Sequence, residues 1–496
     1  MKSLINKLFP GLAERVAALA ALVWWGLGFW YERFAFEAGA AAAQRFTWVC
    51  VKLLTLAVLL LLTRFFLEAL RRPLGDGAAA GTLRCALPLF ALVTLIWAVT
   101  DSWPILYGDQ RSILDAAARY DVLGGFFHYL TLWLPMTALN LVPVATSPVI
   151  FKILLISLGV GWCVWRLRRL TGSRLVWLLY LPFLLPPGLY LSYNIHRIPY
   201  YAVLYLVFSC RLLCDRLEER SLTRGGLALL CLMAAALTQW RVEGIYLLVL
   251  APVLIWLCYR PRWSRKQTAL ALALFLAAQG LVRLPQSVAG RDGLDPGSRA
   301  MPLYEYLITG MERKGLDKEK NAEDLAIVDR YIDLEALHAM NEELGDYCYN
   351  DNLILYYGMR PDPSEADKAA FRGAVTRIVL HNPLVYIRSQ LAAWVHISEQ
   401  TYHDRKLDEV ANIFQRLYLP TLWLFVLFFL ALRRRDWLCF FLTGGHLLHM
   451  AITTALLPAS YFKYYYSELL YAALTAILLL SLALQRRREK RRARAV

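Results

Sequence analysis

Residues 46–63 read FTWVCVKLLTLAVLLLLT, an apolar run of 18 residues whose one charged side chain is Lys52. A helix needs roughly 17–25 predominantly apolar residues to cross the ~30 Å hydrocarbon core of a bilayer. The run meets that length, so it predicts a membrane-spanning helix. Similar runs begin near residues 16 and 86, and more of them follow along the chain.

The composition of the whole chain agrees with repeated membrane crossing. Hydrophobic residues make up 58% and charged residues 19% of the 496 residues, and the mean hydropathy is +0.43. Soluble globular domains carry about 45–50% apolar and about 25% charged residues. The 16 Trp, 27 Tyr and 22 Phe suit a chain that crosses membrane interfaces many times. These values exclude a soluble single-core protein, a disordered chain and a fibrous repeat.

Twelve apolar runs are predicted to span the membrane, so the expected fold is an all-α polytopic membrane protein with about twelve transmembrane helices. The runs lie near residues 16–36, 46–63, 86–100, 149–165, 174–192, 198–214, 225–239, 245–259, 267–284, 414–432, 437–457 and 464–484. Both termini are then cytoplasmic, because this arrangement puts the Arg-rich segments inside, where Lys and Arg are enriched. These segments are 166–174, 215–224, 259–266, 433–436 and the tail from 485.

The apolar stretch 122–147 is not counted among the spans. It contains FFHYLTLWLPMTALNLVP, which is hydrophobic enough to enter a membrane. A full span here, however, would put the Arg-rich segment 166–174 outside. We therefore expect an interfacial or re-entrant segment within an outer loop that covers residues 101–148.

Residues 285–413 form a long polar stretch between apolar runs. They contain 14 Lys and Arg against 22 Asp and Glu, whereas the rest of the chain contains 40 and 16. An acidic insert in a basic chain indicates that the two parts face different compartments. Apolar residues at helical spacing in 321–345 predict helix, and the amphipathic segment from 382 is expected to lie on the membrane before the span at 414. We expect a small helical extracytoplasmic domain.

The chain therefore divides into four predicted regions. Residues 1–85 hold two N-terminal spans, residues 86–284 the transmembrane core, residues 285–413 the outer domain, and residues 414–496 the last spans with a basic tail. The first apolar run lacks a small-residue cleavage site, so we expect an anchor and not a cleaved signal peptide. The basic residues are scattered between apolar runs, whereas a nucleic-acid partner needs them on one continuous face.

Cysteine usage and motif content exclude several kinds of site. Of nine Cys, only Cys348 falls in the outer domain, so this chain alone cannot build a disulfide framework there. The sequence has no CxxC or HExxH pattern that predicts zinc. It also has no Walker loop, which argues against ATP-driven work.

Carboxylates in the first outer loop are the candidates for catalysis. The run TDSWPILYGDQRSILDAAARYD carries Asp101, Asp109, Asp115 and Asp121, and His128 follows as a candidate for substrate binding. Transfer of a sugar to a hydroxyl needs a carboxylate as general base. Asp109 is the first candidate because it follows a Tyr-Gly turn and precedes a helical stretch, and Asp101 is the second. The alternative is that Asp109 caps the helix that follows it and that Asp101 is a solvated helix end.

Three further outer loops each carry basic residues close to the membrane. They are NIHRIPYY with His196 and Arg197, TQWRVEGIY with Arg241 and Glu243, and PASYFKYYY with Tyr461 and Lys463. These residues are the predicted substrate-binding set, because Arg binds phosphate through a bidentate fork and Lys as a point charge. The alternative is that Arg241 pairs with Glu243, while Arg197 and Lys463 reach lipid headgroups.

The motifs RVEGIYLLVL from 241 and YFKYYYSELLYAALTAIL from 461, with an acidic loop after an early span and a large outer domain, resemble the GT-C superfamily of integral-membrane glycosyltransferases. The likeness covers about residues 86–484 and is greatest to a bacterial polytopic branch of that superfamily. It implies a polyprenyl-phosphate-linked sugar donor and an inverting transfer outside the cytoplasmic membrane. The implied acceptor is a glycan, lipid or protein of the cell envelope.

By position, the resemblance puts the catalytic carboxylate on Asp109 or Asp101, the RVEGIY motif on Arg241 and Gly244, and the final motif on Lys463 and Tyr464. The sequence also departs from the family pattern. Lys463 stands where Arg is common, and Asp101 and Asp109 are eight residues apart, so there is no tight DxD. A divalent cation is therefore left open but not indicated, and no cofactor is firmly implied. The spans at 16–36 and 46–63 lie outside the common core.

Two other classes fit the same topology. A transporter or flippase of lipid-linked sugars needs ionisable groups or broken helices at mid-membrane, and often an inverted repeat. No repeat of helix lengths is evident, but Pro-Pro-Gly at 186–188 interrupts the span at 174–192. A polymerase that joins lipid-linked repeat units outside the membrane shares the charge pattern of the transferase.

Overall fold

The computed structural model describes residues 11–34, 36, 42–71, 77–100, 109–121, 128–288, 296–344, 358–361, 363–395, 397, 413–456 and 461–495. Within these ranges the regular structure is helical, apart from one isolated antiparallel bridge between Ile332 and Met359. The predicted all-helical class is confirmed for this part of the chain.

Residues 12–288 contribute the helices that make up most of the apolar sequence. The helices are α1 Leu12–Tyr31, α2 Ala42–Arg71, α3 Ala78–Thr100, α4 Asp109–Ala118, α5 Tyr129–Leu141, α6 Ser147–Thr171, α7 Leu181–Leu184, α8 Pro186–Tyr193, α9 Ile198–Leu217, α10 Arg224–Trp240, α11 Leu247–Tyr259 and α12 Arg265–Val288. Short 3-10 turns occur at Glu32–Phe34, Arg174–Tyr180, Val242–Tyr246 and Arg260–Arg262.

Residues 296–495 contribute the remaining helices. They are α13 Pro296–Arg313, α14 Ala322–Val328, α15 Leu334–Leu344, α16 Glu365–His381, α17 Pro383–Val395, α18 Tyr418–Arg433, α19 Trp437–Leu456 and α20 Tyr466–Ala495, with a 3-10 turn at Phe462–Tyr465 before α20. The chain forms two compact units. Unit 1 comprises residues 1–290, 431–442 and 469–496, and unit 2 comprises residues 291–430 and 443–468.

Ten helices in the described part of the chain are long and apolar enough to cross a membrane. They correspond to ten of the twelve predicted runs, namely α1, α2, α3, α6, α9, α11 with its preceding turn, α12, α18 with the residues before it, α19 and α20. The multi-pass membrane class is therefore supported. The prediction of about twelve spans is met in part, because the two remaining runs differ from continuous spanning helices.

The predicted span at 174–192 is broken. The segments Arg174–Leu184 and Pro186–Tyr193 meet at an angle of 75°. Leu185 between them is extended, with φ −74° and ψ 149°, because a following proline disfavours helical backbone at the residue before it. Counted as one span, this bent pair raises the total to eleven. The predicted span at 225–239 is α10, whose 17 residues extend about 25 Å.

Small residues bring two candidate spans of unit 1 into close contact. A Cβ atom on Gly161 of α6 would lie 2.6 Å from the backbone nitrogen of Ala86 in α3. A Cβ atom on Gly81 of α3 would lie 2.1 Å from the indole nitrogen of Trp165. Membrane helices associate through such small residues because the backbones can then approach closely.

The segment 122–147 contains α5, a helix of 13 residues that is too short for a span. Its side chains are largely buried in unit 1, including Leu132 and Met136. The Tyr129 hydroxyl donates to the carbonyl oxygen of Val282 in α12 at 2.6 Å. The expectation that this segment is not a full span agrees with its length, and its interfacial or re-entrant position stays a prediction.

The polar stretch forms a helical domain with its own core in unit 2. Buried apolar residues from α13, α14 and α16 make up this core, among them Ile308, Val328, Phe371 and Ile378. The segment predicted to be helical at 321–345 is divided into α14 and α15. Arg360 binds the connection, with Nη2 3.2 Å from Asp329 Oδ1 and Nη1 2.9 Å from Asp333 Oδ2.

Candidate functional site

Lys152 binds the backbone of the connection between α8 and α9. Its side chain is fully buried in α6, and Nζ donates to the carbonyl oxygens of Asn194 at 2.6 Å and His196 at 2.9 Å and to Oδ1 of Asn194 at 3.1 Å. These acceptors match the three N–H donors of an ammonium group. Asn194 directly follows α8, so the cation lies at the negative end of that helix.

Aromatic rings extend this arrangement to α10. Lys152 Nζ lies 5.3 Å from the ring centre of Tyr200. Tyr200 stacks on Trp240 with ring centres 6.3 Å apart and planes at 20°, and the indole N–H of Trp240 donates to Thr131 Oγ1 at 3.0 Å. The start of α9, the end of α10 and the short helix α5 therefore meet near the N-terminal end of α6.

Arg241 follows Trp240 directly and is buried. Its Nη2 donates to Oε1 of Glu243 in an ion pair whose two side chains are each 7% exposed. The pair is the alternative arrangement that the sequence left open, and the phosphate-binding role of Arg241 stays a prediction. Lys152, His196, Tyr200, Trp240 and Arg241 are called the Arg241 cluster below.

Gly244 makes the turn after Arg241 possible. A Cβ atom at this position would lie 2.3 Å from the carbonyl oxygen of Leu237 and 3.3 Å from that of Thr238. Backbone atoms cannot rotate away, so the 3-10 turn Val242–Tyr246 packs on α10 only with glycine here. The RVEGIY motif therefore has a structural requirement at its glycine.

Two predicted binding histidines make local hydrogen bonds in unit 1. His196 is buried, and its Nδ1 accepts from the backbone N–H of Ile198 at 3.3 Å. His128 caps α5, where its Nδ1 accepts from the backbone N–H of Leu130 at 3.3 Å. Arg197 is half-buried at the start of α9. Substrate contacts of these side chains stay predictions.

Of the two predicted catalytic carboxylates, only Asp109 belongs to the part of the chain that the structure describes. Asp101 is outside the described residues, and Asp109 is the first residue of α4. Asp115, on the same helix, is exposed, and one of its carboxylate oxygens lies 3.8 Å from Arg111 Nε. The roles of Asp101 and Asp109 as general bases stay predictions.

A second charged cluster, called the Arg166 network, connects the C-terminal ends of three helices of unit 1. Arg166 Nη2 of α6 lies 2.9 Å from Asp215 Oδ1 of α9 and 3.0 Å from Glu218 Oε2. The Tyr259 hydroxyl of α11 donates to Asp215 Oδ2 at 2.7 Å. Arg166 and Asp215 are buried, so the network fixes the ends of α6, α9 and α11 against one another.

In unit 2, the ammonium group of Lys463 lies close to the rings of Tyr461 and Tyr464, which the sequence analysis named together with it. Its Nζ is 4.5 Å from the ring centre of Tyr461 and 5.7 Å from that of Tyr464. The two rings stand edge to face, with centres 5.9 Å apart. These contacts are cation–π interactions, and a phosphate contact of Lys463 stays a prediction.

Unit 2 also holds an ionisable cluster that the sequence reasoning missed. His449 Nδ1 lies 2.9 Å from Glu468 Oε1, and His446 Nδ1 lies 3.5 Å from the same oxygen. The Ser467 hydroxyl lies 3.0 Å from both carboxylate oxygens of Glu468. All four side chains are buried. The sequence does contain a feature that could have identified this cluster, because His and Glu occur there inside apolar runs. Ionisable side chains are costly in a membrane and generally have a function.

A metal site is not found in the part of the chain that the structure describes. No group of three or more His, Cys, Asp or Glu side chains there has an arrangement that could hold a metal ion. The described cysteines are free thiols, six of them buried and two half-buried.

The chain matches no protein-family model, no curated protein sequence and no solved structure.

Proposed function

We propose that the chain is an integral-membrane glycosyltransferase with a GT-C-like fold. It takes a sugar from a polyprenyl-phosphate donor and passes it to a hydroxyl of a glycan, lipid or protein acceptor, with inversion at the anomeric carbon. The reaction takes place on the outer side of the cytoplasmic membrane. Both termini and the Arg166 network are on the cytoplasmic side, and the helical domain of unit 2 is extracytoplasmic.

The observation that carries this proposal is the Arg241 cluster. Two buried cations belong to it: Lys152 lies beside the ring of Tyr200, which stacks on Trp240, and Arg241 directly follows Trp240 in the chain. Ionisable groups in such surroundings are costly and generally functional. A lipid-linked phosphate requires cations near the membrane surface while its polyprenyl chain stays in the bilayer. In this proposal Arg241 binds the phosphate, while Lys152, whose three N–H groups donate to oxygens of Asn194 and His196, holds the neighbouring loop in place.

The proposed reaction assigns a role to each candidate. The acceptor oxygen bonds to the anomeric carbon while the bond from that carbon to the phosphate oxygen breaks. The hydroxyl proton passes to a carboxylate, for which Asp109 is the first candidate and Asp101 the second. The electron pair of the broken bond stays on the phosphate, and Arg241 stabilises the charge that develops there.

Purified protein in nanodiscs with a radiolabelled polyprenyl-phosphate sugar tests this assignment. Replacement of a general base commonly reduces the rate by about 10²–10⁴, so Asp109→Asn is expected to lose transfer to that extent per folded molecule. Asn can still cap a helix, so the variant isolates the chemical role. The matched control is Asp115→Asn on the same helix, which removes only an exposed ion pair with Arg111 and keeps the wild-type rate.

Each result assigns the base or rejects it. Near-normal transfer by Asp109→Asn with a large loss in Asp101→Asn moves the base to Asp101. Normal transfer by both Asn variants rejects Asp109 and Asp101 as the general base. A wild-type protein that never forms a glycosidic bond with any acceptor offered rejects the enzyme proposal.

A transporter or flippase of lipid-linked saccharides is the second candidate. Two observations favour it, namely the 75° break before Pro186 and the buried cluster of His446, His449 and Glu468. Broken helices and intramembrane ionisable groups are typical of secondary transporters. Proteoliposomes with fluorescent lipid-linked sugar in one leaflet distinguish the two functions. Movement of the intact lipid across the bilayer, without a new glycosidic bond, supports the transporter.

A further inference from the structure

The helix α17 is apolar on its outward side, whereas its inward side combines small and polar side chains with Val385 and Tyr386, which pack against the core of the helical domain. Leu384, Ile387, Leu391 and Val395 are 70%, 48%, 53% and 39% exposed and form one stripe at helical spacing. On the opposite face, Ser389 and Gln390 are buried. An amphipathic helix that packs on a protein in water has charged and polar side chains on its outward face instead.

The inward face of α17 packs on the helical domain through a close contact with α13. A Cβ atom on Gly310 of α13 would lie 2.3 Å from the Ser389 hydroxyl oxygen. The two helices therefore approach through small residues, and the position of α17 in unit 2 is defined by this contact. The exposed stripe of leucine, isoleucine and valine lies on the opposite face from this contact, so a different partner has to cover it.

The C-terminal end of α17 contacts the beginning of a candidate span. The carbonyl oxygen of Val395 accepts from Arg416 Nη1 at 2.5 Å and from the Tyr418 hydroxyl at 3.2 Å. Trp394 stands edge to face with Tyr418, with ring centres 5.5 Å apart. Tyr418 is the first residue of α18, and Trp and Tyr are enriched at membrane–water interfaces. This end of α17 is therefore at the level where the chain enters the membrane.

The N-terminal half of α17 contacts the end of the next span. The Tyr386 hydroxyl donates to the carbonyl oxygen of Ala455 at 2.7 Å, and Ala455 lies in the last turn of α19. Because α18 and α19 are consecutive and separated by three residues, Tyr418 and Ala455 lie on the same side of the membrane. Counted from the turn between the two spans, their depths differ by only about 5 Å at 1.5 Å per residue.

These two contacts set the direction of α17. Tyr386 and Val395 are nine residues apart, which is about 13 Å along a helix. If the axis of α17 were perpendicular to the membrane, the depths of Tyr386 and Val395 would differ by about 13 Å. The depths of the residues that they contact, Ala455 and Tyr418, differ by only about 5 Å. The axis of α17 is therefore inclined toward the membrane plane. Arg388, also exposed on the outward side, can extend its charged end to lipid phosphates.

We propose that α17 lies in the surface of the bilayer that the chain spans, with Leu384, Ile387, Leu391 and Val395 among the acyl chains and Arg388 at the lipid phosphates. The occupant of the exposed stripe is membrane lipid. The helix then anchors the core of the helical domain, which packs on its inward face, to the membrane surface. This proposal is independent of the glycosyltransferase proposal, because it rests only on contacts within unit 2.

Spin-label accessibility tests the proposal on the full chain in vesicles of phosphatidylethanolamine and phosphatidylglycerol. Cys50, Cys348 and Cys439 are first replaced by serine, and the six other cysteines are buried. A nitroxide is then attached at Leu391→Cys or at Leu384→Cys. Both labels are expected to be relaxed strongly by oxygen, which partitions into lipid, and weakly by a water-soluble nickel chelate. The matched control is Glu365→Cys on α16, whose side chain is 76% exposed and should show the opposite preference.

Three results would overturn the proposal. Strong relaxation by the nickel chelate at Leu391 would mean that the stripe faces water. Protection from both oxygen and nickel would mean that protein covers it, for example a second copy of the chain. Depths for the labels at 384 and 391 that differ by the full axial distance of about 10 Å would mean that α17 stands across the membrane. If the triple-serine variant does not fold, the labels are placed in the chain with its native cysteines. The signal of the labelled wild-type chain is then subtracted from that of each variant.

Discussion

Among single residues, the Arg241–Glu243 pair gives a sharp test of donor binding. If Arg241 holds the donor phosphate, Arg241→Ala loses a charge-assisted bond of roughly 1.5–3 kcal/mol. Donor affinity then falls by roughly one to two decades, since about 1.4 kcal/mol is a factor of ten. Glu243→Gln leaves Arg241 its charge and is expected to keep or raise the affinity. Titration of polyprenyl-phosphate sugar into purified variants in nanodiscs measures both effects.

The buried pair also contributes to stability, so the folded fraction of each variant has to be measured alongside. Removal of one partner of a buried ion pair is commonly destabilising by about 3–5 kcal/mol. Arg262→Ala is the control, because Arg262 donates to backbone carbonyls of Arg220 and Cys258 at the Arg166 end. Lower stability with unchanged donor affinity in both Arg241→Ala and Glu243→Gln would reject the phosphate role.

Glu305 in the helical domain of unit 2 predicts a pH-dependent stability. Its side chain is 3% exposed, and Oε1 accepts from the Tyr331 hydroxyl at 2.9 Å. Burial raises the pKa of Glu305 from 4.5 to about 7, although the Tyr331 hydrogen bond lowers it. The folded state therefore binds its proton more tightly than the unfolded state, and stability is lost as the pH rises from about 4.5 to about 7. The loss is about 3 kcal/mol at about 1.4 kcal/mol per pKa unit.

Amide hydrogen exchange of α13, corrected for the intrinsic effect of pH, measures this prediction on the full chain. Protection is expected to be lower at pH 8 than at pH 5. Glu305→Gln should remove most of that difference, because the amide does not ionise. Glu335→Gln, at an exposed position of α15, serves as the control and should leave it unchanged. A wild-type protein with equal corrected protection at both pH values would contradict the prediction.

Sequence reasoning located residues in loops better than residues inside apolar runs. His196, Arg197, Arg241 and Glu243 were named as candidates, and the structure brings their two loops together in unit 1 through the Tyr200–Trp240 contact. Lys152 was missed because one charge in a long apolar run does not change the prediction of a span. Its partners are backbone carbonyls more than 40 residues away, and no sequence pattern encodes such contacts.

At the level of elements, the crossing of α3 and α6 depends on Gly161. An alanine Cβ there would lie 2.6 Å from the backbone nitrogen of Ala86, so the helices must separate. Overpacking of this kind costs about 1–3 kcal/mol. Gly161→Ala is therefore expected to lower the thermal unfolding midpoint in detergent. Gly280→Ala is the control, because no atom lies within 4 Å of the added Cβ, and alanine favours helix by about 0.5–1 kcal/mol.

The comparison of the two alanine variants separates crowding from the general effect of replacing glycine in a helix. Equal midpoints for Gly161→Ala and Gly280→Ala would show that α3 and α6 adjust without cost. A larger side chain, as in Gly161→Val, should increase the loss if the contact is rigid.

Elements were predicted well where local sequence determines them and less well where distant contacts do. Ten runs were identified because apolar length alone predicts a spanning helix. The division of residues 321–345 into α14 and α15 was missed, and at that connection Arg360, from outside the segment, binds Asp329 and Asp333. The bend before Pro186 was visible as Pro-Pro-Gly, but its 75° angle was not.

For the molecule as a whole, contacts at two levels of unit 1 predict how many times the chain crosses the membrane. At one level, Lys152 at the start of α6 binds the segment before α9, and Trp240 at the end of α10 stacks on Tyr200. At the other level, the Arg166 network joins the ends of α6, α9 and α11. The chain must therefore cross once between α6 and α9, through the bent pair, and once through α10.

We accordingly predict twelve crossings, which are the ten continuous candidate spans together with the bent pair and α10. An even number puts both termini on the same side. With the ten helices alone, positions 221 and 264 would lie on opposite sides, because only α11 would cross between them. With twelve, positions 174, 221 and 264 all lie at the Arg-rich level, which we expect to be cytoplasmic.

Impermeant thiol labelling decides the prediction. Arg174→Cys, Ser221→Cys and Ser264→Cys, at positions exposed in the structure, are placed singly in the background without Cys50, Cys348 and Cys439, and each should react only after the cells are opened. Ala145→Cys, before the start of α6, should react in intact cells. Cys348, outside the described residues, is tested in a chain that lacks only Cys50 and Cys439, and it should react in intact cells if the helical domain is extracytoplasmic. Labelling of position 221 in intact cells would mean that α10 does not cross, and labelling of Cys348 only after opening would reverse the orientation, provided unfolded protein shows that each thiol is reactive.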